Sequence, residues 1–195
     1  MTAAPFRILT VCTGNICRSP YAEHALRRAM RDQPEIEVVS AGTGAVIGAP
    51  ATPETEAAAT RSGFTTEGHE ARQLDRAIAS DADLILALTR DHRRDTVLTW
   101  PRANRIAFTL TEFARLADSL DDADLADGLA GVDGPQRAPA VALLSRRRGL
   151  VPAPSPSDDD IDDPYLQGDA VYEAMRLRVD AATASVARLM GRLRG

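Results

Sequence analysis

Cysteine is scarce in this chain of 195 residues: there are two, Cys12 and Cys17, and both fall in one short segment. That count excludes a disulfide framework. Two thiols without nearby histidine or carboxylate partners also make a poor metal site, so neither a metal nor another cofactor is expected. Long apolar runs are absent too. No stretch reaches membrane-spanning length and no charged-then-apolar leader opens the chain, which points to a soluble, cytoplasmic protein with no membrane partner. The third absence is a basic stripe. The formal charge is -5, and the arginines alternate with acids instead of clustering with aromatics, so nucleic acid is not an expected partner. With 44% hydrophobic residues, the chain is long enough to bury one core and reads as a single domain over residues 1–195.

What is present is concentrated near the start. The apolar run Phe6-Arg7-Ile8-Leu9-Thr10-Val11 leads directly into Cys12-Thr13-Gly14-Asn15-Ile16-Cys17-Arg18-Ser19-Pro20. With Ile8 to Val11 as a strand and Pro20 to Leu26 opening a helix, the loop between them sits at a helix N-terminus. Unpaired N–H groups and the helix dipole there favour an anion. The amides from Thr13 to Arg18 are placed to curl into a nest around a tetrahedral oxyanion, with Gly14 expected to supply a backbone conformation that a side chain would resist. Arg18 adds a planar fork for phosphate oxygens. The same field favours the thiolate of Cys12, so the anion site is also a nucleophile. Ser19 either caps the helix ahead of Pro20 or turns its hydroxyl toward that thiolate.

The full string from Val11 to Pro20 resembles the signature of the low-molecular-weight protein tyrosine phosphatases. The resemblance implies hydrolysis of phosphotyrosine proteins through a cysteinyl-phosphate intermediate. In that reading Cys12 attacks phosphorus, while Arg18 and the amides of Thr13, Gly14, Asn15, Ile16 and Cys17 hold the phosphoryl oxygens. A distant aspartate protonates the leaving phenolate, and the family's Asp-Pro-Tyr step places it at Asp163 in Asp163-Pro164-Tyr165. One carboxyl then serves twice, as acid to the leaving group and as base to the attacking water. Its neighbours Asp158, Asp159 and Asp162 read as a solvated acidic run. Asn15, Ser40 and His69 match the family's supporting network around the loop, whereas His24 and His92 read as surface or structural residues.

The resemblance also bears on substrate and regulation. Ile16 and Tyr165 would wall an aromatic leaving group. Relatives acting on phosphoarginine tend to carry threonine at the position of Ile16, so isoleucine favours phosphotyrosine. Ala45-Val46-Ile47-Gly48 stands where many relatives have an aromatic, so one wall is expected to be missing. Cys17 is either a small buried residue or a thiol that captures oxidised Cys12 as a reversible disulfide. An arsenate reductase would need further cysteines downstream of Cys17 to relay a disulfide, and the sequence has none. A binding module without activity would be expected to lack Cys12, Arg18 or Asp163.

Alternating elements predict an α/β, three-layer fold with a four-stranded parallel sheet and the phosphate loop after the first strand. Predicted strands are 7–11, 36–40, 83–88 and 105–108; predicted helices are 20–31, 53–62, 91–99, 111–117 and 170–192. The resemblance covers residues 6 to about 117 and about 160 to the end. Between them an inserted segment, about 118–157, reads as two short helices and a proline tether, either an active-site rim or docking surface or a tolerated surface insertion. Oligomeric state is not legible.

Overall fold

The computed structural model describes residues 4–194. Strands β1 (Phe6–Cys12), β2 (Ile36–Gly42), β3 (Leu84–Ala87) and β4 (Ala107–Thr109) form one parallel sheet in the order β2-β1-β3-β4. The expected four-stranded parallel sheet is present. The fourth strand starts two residues later than predicted, because Pro101–Arg105 winds into a 3-10 turn. Side chains of β1 alternate between two buried layers. Ile8 and Cys12 join Leu26, Phe108, Phe113 and Val179 on one face, and Leu9 and Val11 join Leu74 and Ile85 on the other. A parallel strand covered on both faces needs apolar residues at successive positions, which is why Phe6 to Val11 reads as a run.

The helices are α1 (Arg18–Ala29), α2 (Pro53–Arg61), α3 (Arg76–Ser80), α4 (Arg90–Thr99), α5 (Leu110–Asp118), α6 (Asp122–Gly128), α7 (Arg137–Arg147) and α8 (Asp169–Gly191). Thr52, Asp75, Thr89, Thr109 and Asp121 cap α2 to α6 through their side chains. The N-cap of α1 is Cys17, with no side-chain cap. The long α8 packs against α1, α2 and α5, burying Met175, Val179, Val186 and Leu189 at the predicted helical spacing. Among the described residues no helix is long and apolar enough to cross a membrane.

Residues 118–157 are built into the core. Leu125 and Leu129 of α6 and Ala140, Val141 and Leu144 of α7 belong to the same buried cluster as Ile8 and Phe113. Just beyond α7, the Arg148 guanidinium lies 3.9 Å from the centroid of the Phe108 ring, and Arg137 pairs with Glu35 at 2.6 Å. The segment thus thickens the flank beside α5. Its tail passes Val151, whose carbonyl accepts from Arg115 Nε at 3.1 Å, on the way to Asp163.

The order of strands fixes where a ligand can go. The chain leaves β1 toward β2 on one side, while β3 lies on the other. The C-terminal end of β1 is therefore the point at which the topology switches direction and a crevice opens.

Candidate active site

Thr13 to Cys17 make the whole turn between β1 and α1. Its carbonyls are pulled outward: those of Cys12, Thr13, Gly14 and Ile16 accept from the amides of Thr43, Gly44, Val46 and Thr52 at 2.9–3.1 Å. The carbonyl of Asn15 receives His69 Nε2 at 2.6 Å. The amides of Thr13 to Cys17 themselves donate to no protein acceptor among the described residues. A turn with every one of these carbonyls tied back and its amides free is an anion nest, and the uncapped start of α1 continues it.

The left-handed residue of this turn is Asn15, at φ 55, and not Gly14 as the sequence suggests. Asparagine tolerates that region better than most side chains, and here its amide group is bonded on every side. Nδ2 donates to Ser19 Oγ at 2.9 Å and Ser40 Oγ at 2.8 Å, and Oδ1 accepts from the Arg72 amide at 2.9 Å. The glycine that the turn cannot do without is Gly42, at the end of β2. A Cβ there would stand 2.2 Å from the Thr13 carbonyl oxygen and 3.0 Å from the Asn15 amide nitrogen, both backbone atoms. Gly42→Ala is therefore expected to push the turn aside. We expect a loss of about 1–3 kcal/mol in stability and on the order of 100-fold in turnover, checked by denaturant unfolding and steady-state kinetics on one preparation.

Inside the turn, Cys12 Sγ lies 3.0 Å from Ser19 Oγ. The helix begins at Arg18, ahead of the predicted Pro20, so Ser19 sits in the first turn and is not the cap. Of its two expected orientations the hydroxyl takes the one toward sulfur. Arg18 is almost fully buried. Its Nη2 pairs with Asp163 Oδ2 at 2.7 Å, its Nη1 donates to the Ile161 carbonyl at 3.2 Å, and its Nε finds no acceptor among the described residues. A buried guanidinium N–H without a partner is costly unless a ligand oxygen meets it. Cys12, Thr13, Gly14, Ile16, Arg18, Val46, Asp163 and Tyr165 line a pocket of about 220 Å3. Residues 118–157 contribute none of its lining.

The segment carrying Asp163 is anchored by arginines from three helices. Arg90 of α4 forks onto the Asp160 carboxylate, with Nη2 at 2.7 Å and Nε at 3.1 Å. Arg178 of α8 donates to the carbonyls of Asp160 and Asp158, each at 2.7 Å, and Arg115 of α5 pairs with Asp159 at 2.5 Å. Burial opposes ionisation of Asp160, but the hydrogen bonds from Arg90 outweigh it and hold the carboxyl below its usual range. The reading of this stretch as a solvated acidic face is thus corrected at Asp159, whose side chain is only 16% exposed. Asp163 itself, half exposed, turns back so that its Oδ1 accepts from the Tyr165 amide at 3.2 Å.

The three histidines separate. His69 is largely buried and bonds the Asn15 carbonyl, with its Nδ1 toward Glu23 at 4.0 Å. Ser40, behind Asn15, donates to the Glu23 carboxylate. His92, read from sequence as a surface or structural residue, reaches the turn: Nε2 is 2.8 Å from Thr13 Oγ1 and Nδ1 is 2.9 Å from Thr89 Oγ1. Neither partner was legible, because the contact depends on where α4 starts. Burial first, then the nearby Arg18 cation, pushes its pKa down to about 4 from 6.5. The unfolded chain therefore takes up this proton first. Stability that is fully present above about pH 6.5 is lost as pH falls through about 4, by roughly 3 kcal/mol. Thermal melts should show that fall between pH 7 and 4, and His92→Gln should flatten it.

Cys17 is buried, 3.7 Å from both Thr52 Oγ1 and Tyr172 OH. Burial raises its pKa above the ordinary thiol value, which keeps it protonated at neutral pH. Neither cysteine is in a disulfide.

Comparison with known proteins follows the same geometry. A family model described as low molecular weight phosphotyrosine protein phosphatase matches residues 7–134. The low molecular weight protein-tyrosine-phosphatase Wzb of Escherichia coli (strain K12) is 46% identical over 85 residues, 44% of this chain and 56% of that protein. The chain thus spans just over half of that relative's length. A probable low molecular weight protein-tyrosine-phosphatase, EpsP of Ralstonia solanacearum, is 37% identical over 115 residues, 59% of this chain and 76% of its own. Among solved structures, the YwlE arginine phosphatase from Geobacillus stearothermophilus superposes with a TM-score of 0.68 at 28% identity, over 96% of this chain and 94% of that one. The fold is also that of Vibrio vulnificus Wzb in complex with benzylphosphonate, with a TM-score of 0.66 at 24% identity over 93% and 97% of the two chains. By its signature turn, its sheet order and this match, the chain belongs to the low molecular weight phosphotyrosine protein phosphatase family.

Proposed function

We propose that the protein is a protein tyrosine phosphatase that hydrolyses phosphotyrosine through a cysteinyl-phosphate intermediate. The observation that carries this reading is the conjunction of free amides from Thr13 to Cys17, a buried Arg18 with an unpartnered Nε, and Cys12 Sγ at the base of the same turn. A phosphoryl group seated there meets donors on its equatorial oxygens and a sulfur nucleophile below, the arrangement in-line transfer requires. Ser19 Oγ already accepts from Asn15, which leaves its hydrogen for the sulfur.

Asp163 is the general acid in this reading. It is paired with Arg18 across the pocket mouth at 2.7 Å. A phosphoryl dianion that engages Arg18 takes over that partner and leaves Asp163 to face the leaving oxygen. Asp163, carrying a proton, gives it to the leaving phenolate. Water activated by the resulting carboxylate then attacks the cysteinyl phosphate, the P–S bond breaks, and inorganic phosphate departs with Cys12 regenerated as thiolate.

The substrate class rests on the pocket walls. Ile16, Val46 and Tyr165 surround the mouth with apolar surface. A second reading, phosphoarginine, has one observation in its favour, the similarity to an arginine phosphatase. Ile16 argues against it, since a guanidinium leaving group gains little from an aliphatic wall. Hydrolysis of matched phosphotyrosine and phosphoarginine peptides, in chelator and reductant, decides between them. The tyrosine reading expects kcat/KM at least about tenfold higher for phosphotyrosine, a difference of about 1.4 kcal/mol; the reverse order would replace it.

A further inference from the structure

Outside the pocket, Glu23 and His24 of α1 and His69 of the following loop bring a carboxylate oxygen and two ring nitrogens within 4.8 Å of one another. They line a separate hollow of about 520 Å3, which also includes Gly68 and Arg72.

The hydrogen bonding around His69 fixes what its ring can offer. Nε2 lies 2.6 Å from the Asn15 carbonyl oxygen. A carbonyl only accepts, so Nε2 carries the hydrogen and Nδ1 is the ring atom left for a further partner. Nδ1 faces Glu23 Oε2 at 4.0 Å, beyond a hydrogen bond. A ring nitrogen and a carboxylate oxygen at this separation are spaced to share a cation. Zinc, with bonds of about 2.0–2.2 Å to imidazole nitrogen and carboxylate oxygen, bridges the gap with less than about 1 Å of closure.

The surroundings resemble those of a ligating shell. The other nitrogen of His69 donates to a backbone carbonyl, which orients the ring as metal-bound imidazoles are usually oriented. The Glu23 carboxylate accepts from Ser40 Oγ and pairs with Arg27 Nη2 at 2.5 Å. The His24 ring stands edge-on to His69, their centroids 6.5 Å apart. Burial, foremost, keeps the His24 pKa below its ordinary value.

We propose that Glu23, His24 and His69 form a three-ligand site for a borderline divalent cation, zinc foremost, with water as the fourth ligand, and that its occupancy lowers turnover. The route to the reacting sulfur is short. Ser40 Oγ, bonded to Glu23, accepts from Asn15 Nδ2 at 2.8 Å; Asn15 Nδ2 reaches Ser19 Oγ at 2.9 Å, and Ser19 Oγ contacts Cys12 Sγ at 3.0 Å. A cation drawing Glu23 and His69 together pulls on both ends of the Asn15 anchor. The inhibitory consequence rests on the phosphatase reading; the binding does not.

The test is calorimetric titration of Zn2+ into metal-free Cys12→Ser protein, in which the thiolate cannot bind the ion, followed by the same titration with His24→Ala added. One equivalent is expected to bind, with affinity falling at least about tenfold when His24 is removed. In the otherwise native chain, His24→Ala should keep metal-free turnover and lose inhibition by zinc. Absence of binding to the Cys12→Ser protein, or binding unchanged by His24→Ala, would overturn the site. A wild-type chain inert toward phosphate esters would remove the phosphatase reading and with it the inhibition, while the titration still decides whether the site exists.

Discussion

Cys12→Ser is expected to abolish turnover, by roughly 10^5- to 10^6-fold in kcat, the scale on which covalent hydrolases fail without their nucleophile. Phosphate binding should survive largely intact. The free amides of Thr13 to Cys17 and the guanidinium of Arg18 do not depend on the sulfur, and a serine hydroxyl in place of Sγ remains within reach of Ser19 Oγ, now 3.0 Å away. The measurement is phosphate-ester hydrolysis in chelator beside phosphate binding followed calorimetrically. Loss of both would mean that the substitution had collapsed the turn, whereas retained turnover would remove Cys12 as the nucleophile.

Asp163→Asn should lower kcat by roughly 10^2- to 10^4-fold, the usual worth of a positioned acid. The decisive signature is selectivity. A leaving group that departs easily as its anion needs little help, while a poor one needs the proton in the transition state. The loss should therefore grow as the leaving phenol becomes less acidic, seen as a steeper dependence of kcat on leaving-group pKa. An equal loss across the series would assign Asp163 the role of holding Arg18, with which it pairs at 2.7 Å. Stability should change modestly, because asparagine keeps an oxygen that can accept from the buried Arg18 Nη2.

The sheet was legible because strands covered on both faces need apolar residues at successive positions, and Ile8-Leu9 and Leu84-Ile85-Leu86 announce that directly. Helix α8 was legible from its periodic Met175, Val179, Val186 and Leu189. Helix α3 was not, since five residues after an Asp75 cap carry too little periodicity to register. The turn's place between β1 and α1 could be read from residue types, but the identity of its left-handed residue could not. Gly14 had the permissive backbone, and Asn15 took the conformation because Ser19, Ser40 and Arg72 bond its side chain there. Those partners come from three separate places in the chain, and no local pattern joins them.

Charge was the least legible property. Asp158 to Asp160 look alike in sequence, yet Asp159 and Asp160 are singled out by Arg115 and Arg90, which lie 44 and 70 residues earlier. All 23 basic residues of the chain are arginine, whose planar fork suits such two-point attachment to carboxylates and carbonyls better than an ammonium does. The result is a tether on the segment that delivers Asp163 to the pocket. Residues 118–157 serve the fold, with Leu125, Val141 and Leu144 in the core, and meet this tether where the Val151 carbonyl accepts from Arg115 and where Ser155 and Ser157 bond Asp158 and Asp160.

The most direct test of the account is to quench the enzyme in acid during turnover of an aryl phosphate and map the phosphoryl group by mass spectrometry. The account predicts a mass increase of one phosphoryl group on the peptide containing Cys12 and none on Cys17. A turning-over enzyme that carries no phosphoryl group on Cys12 at any quench time, or that carries it elsewhere, would contradict it.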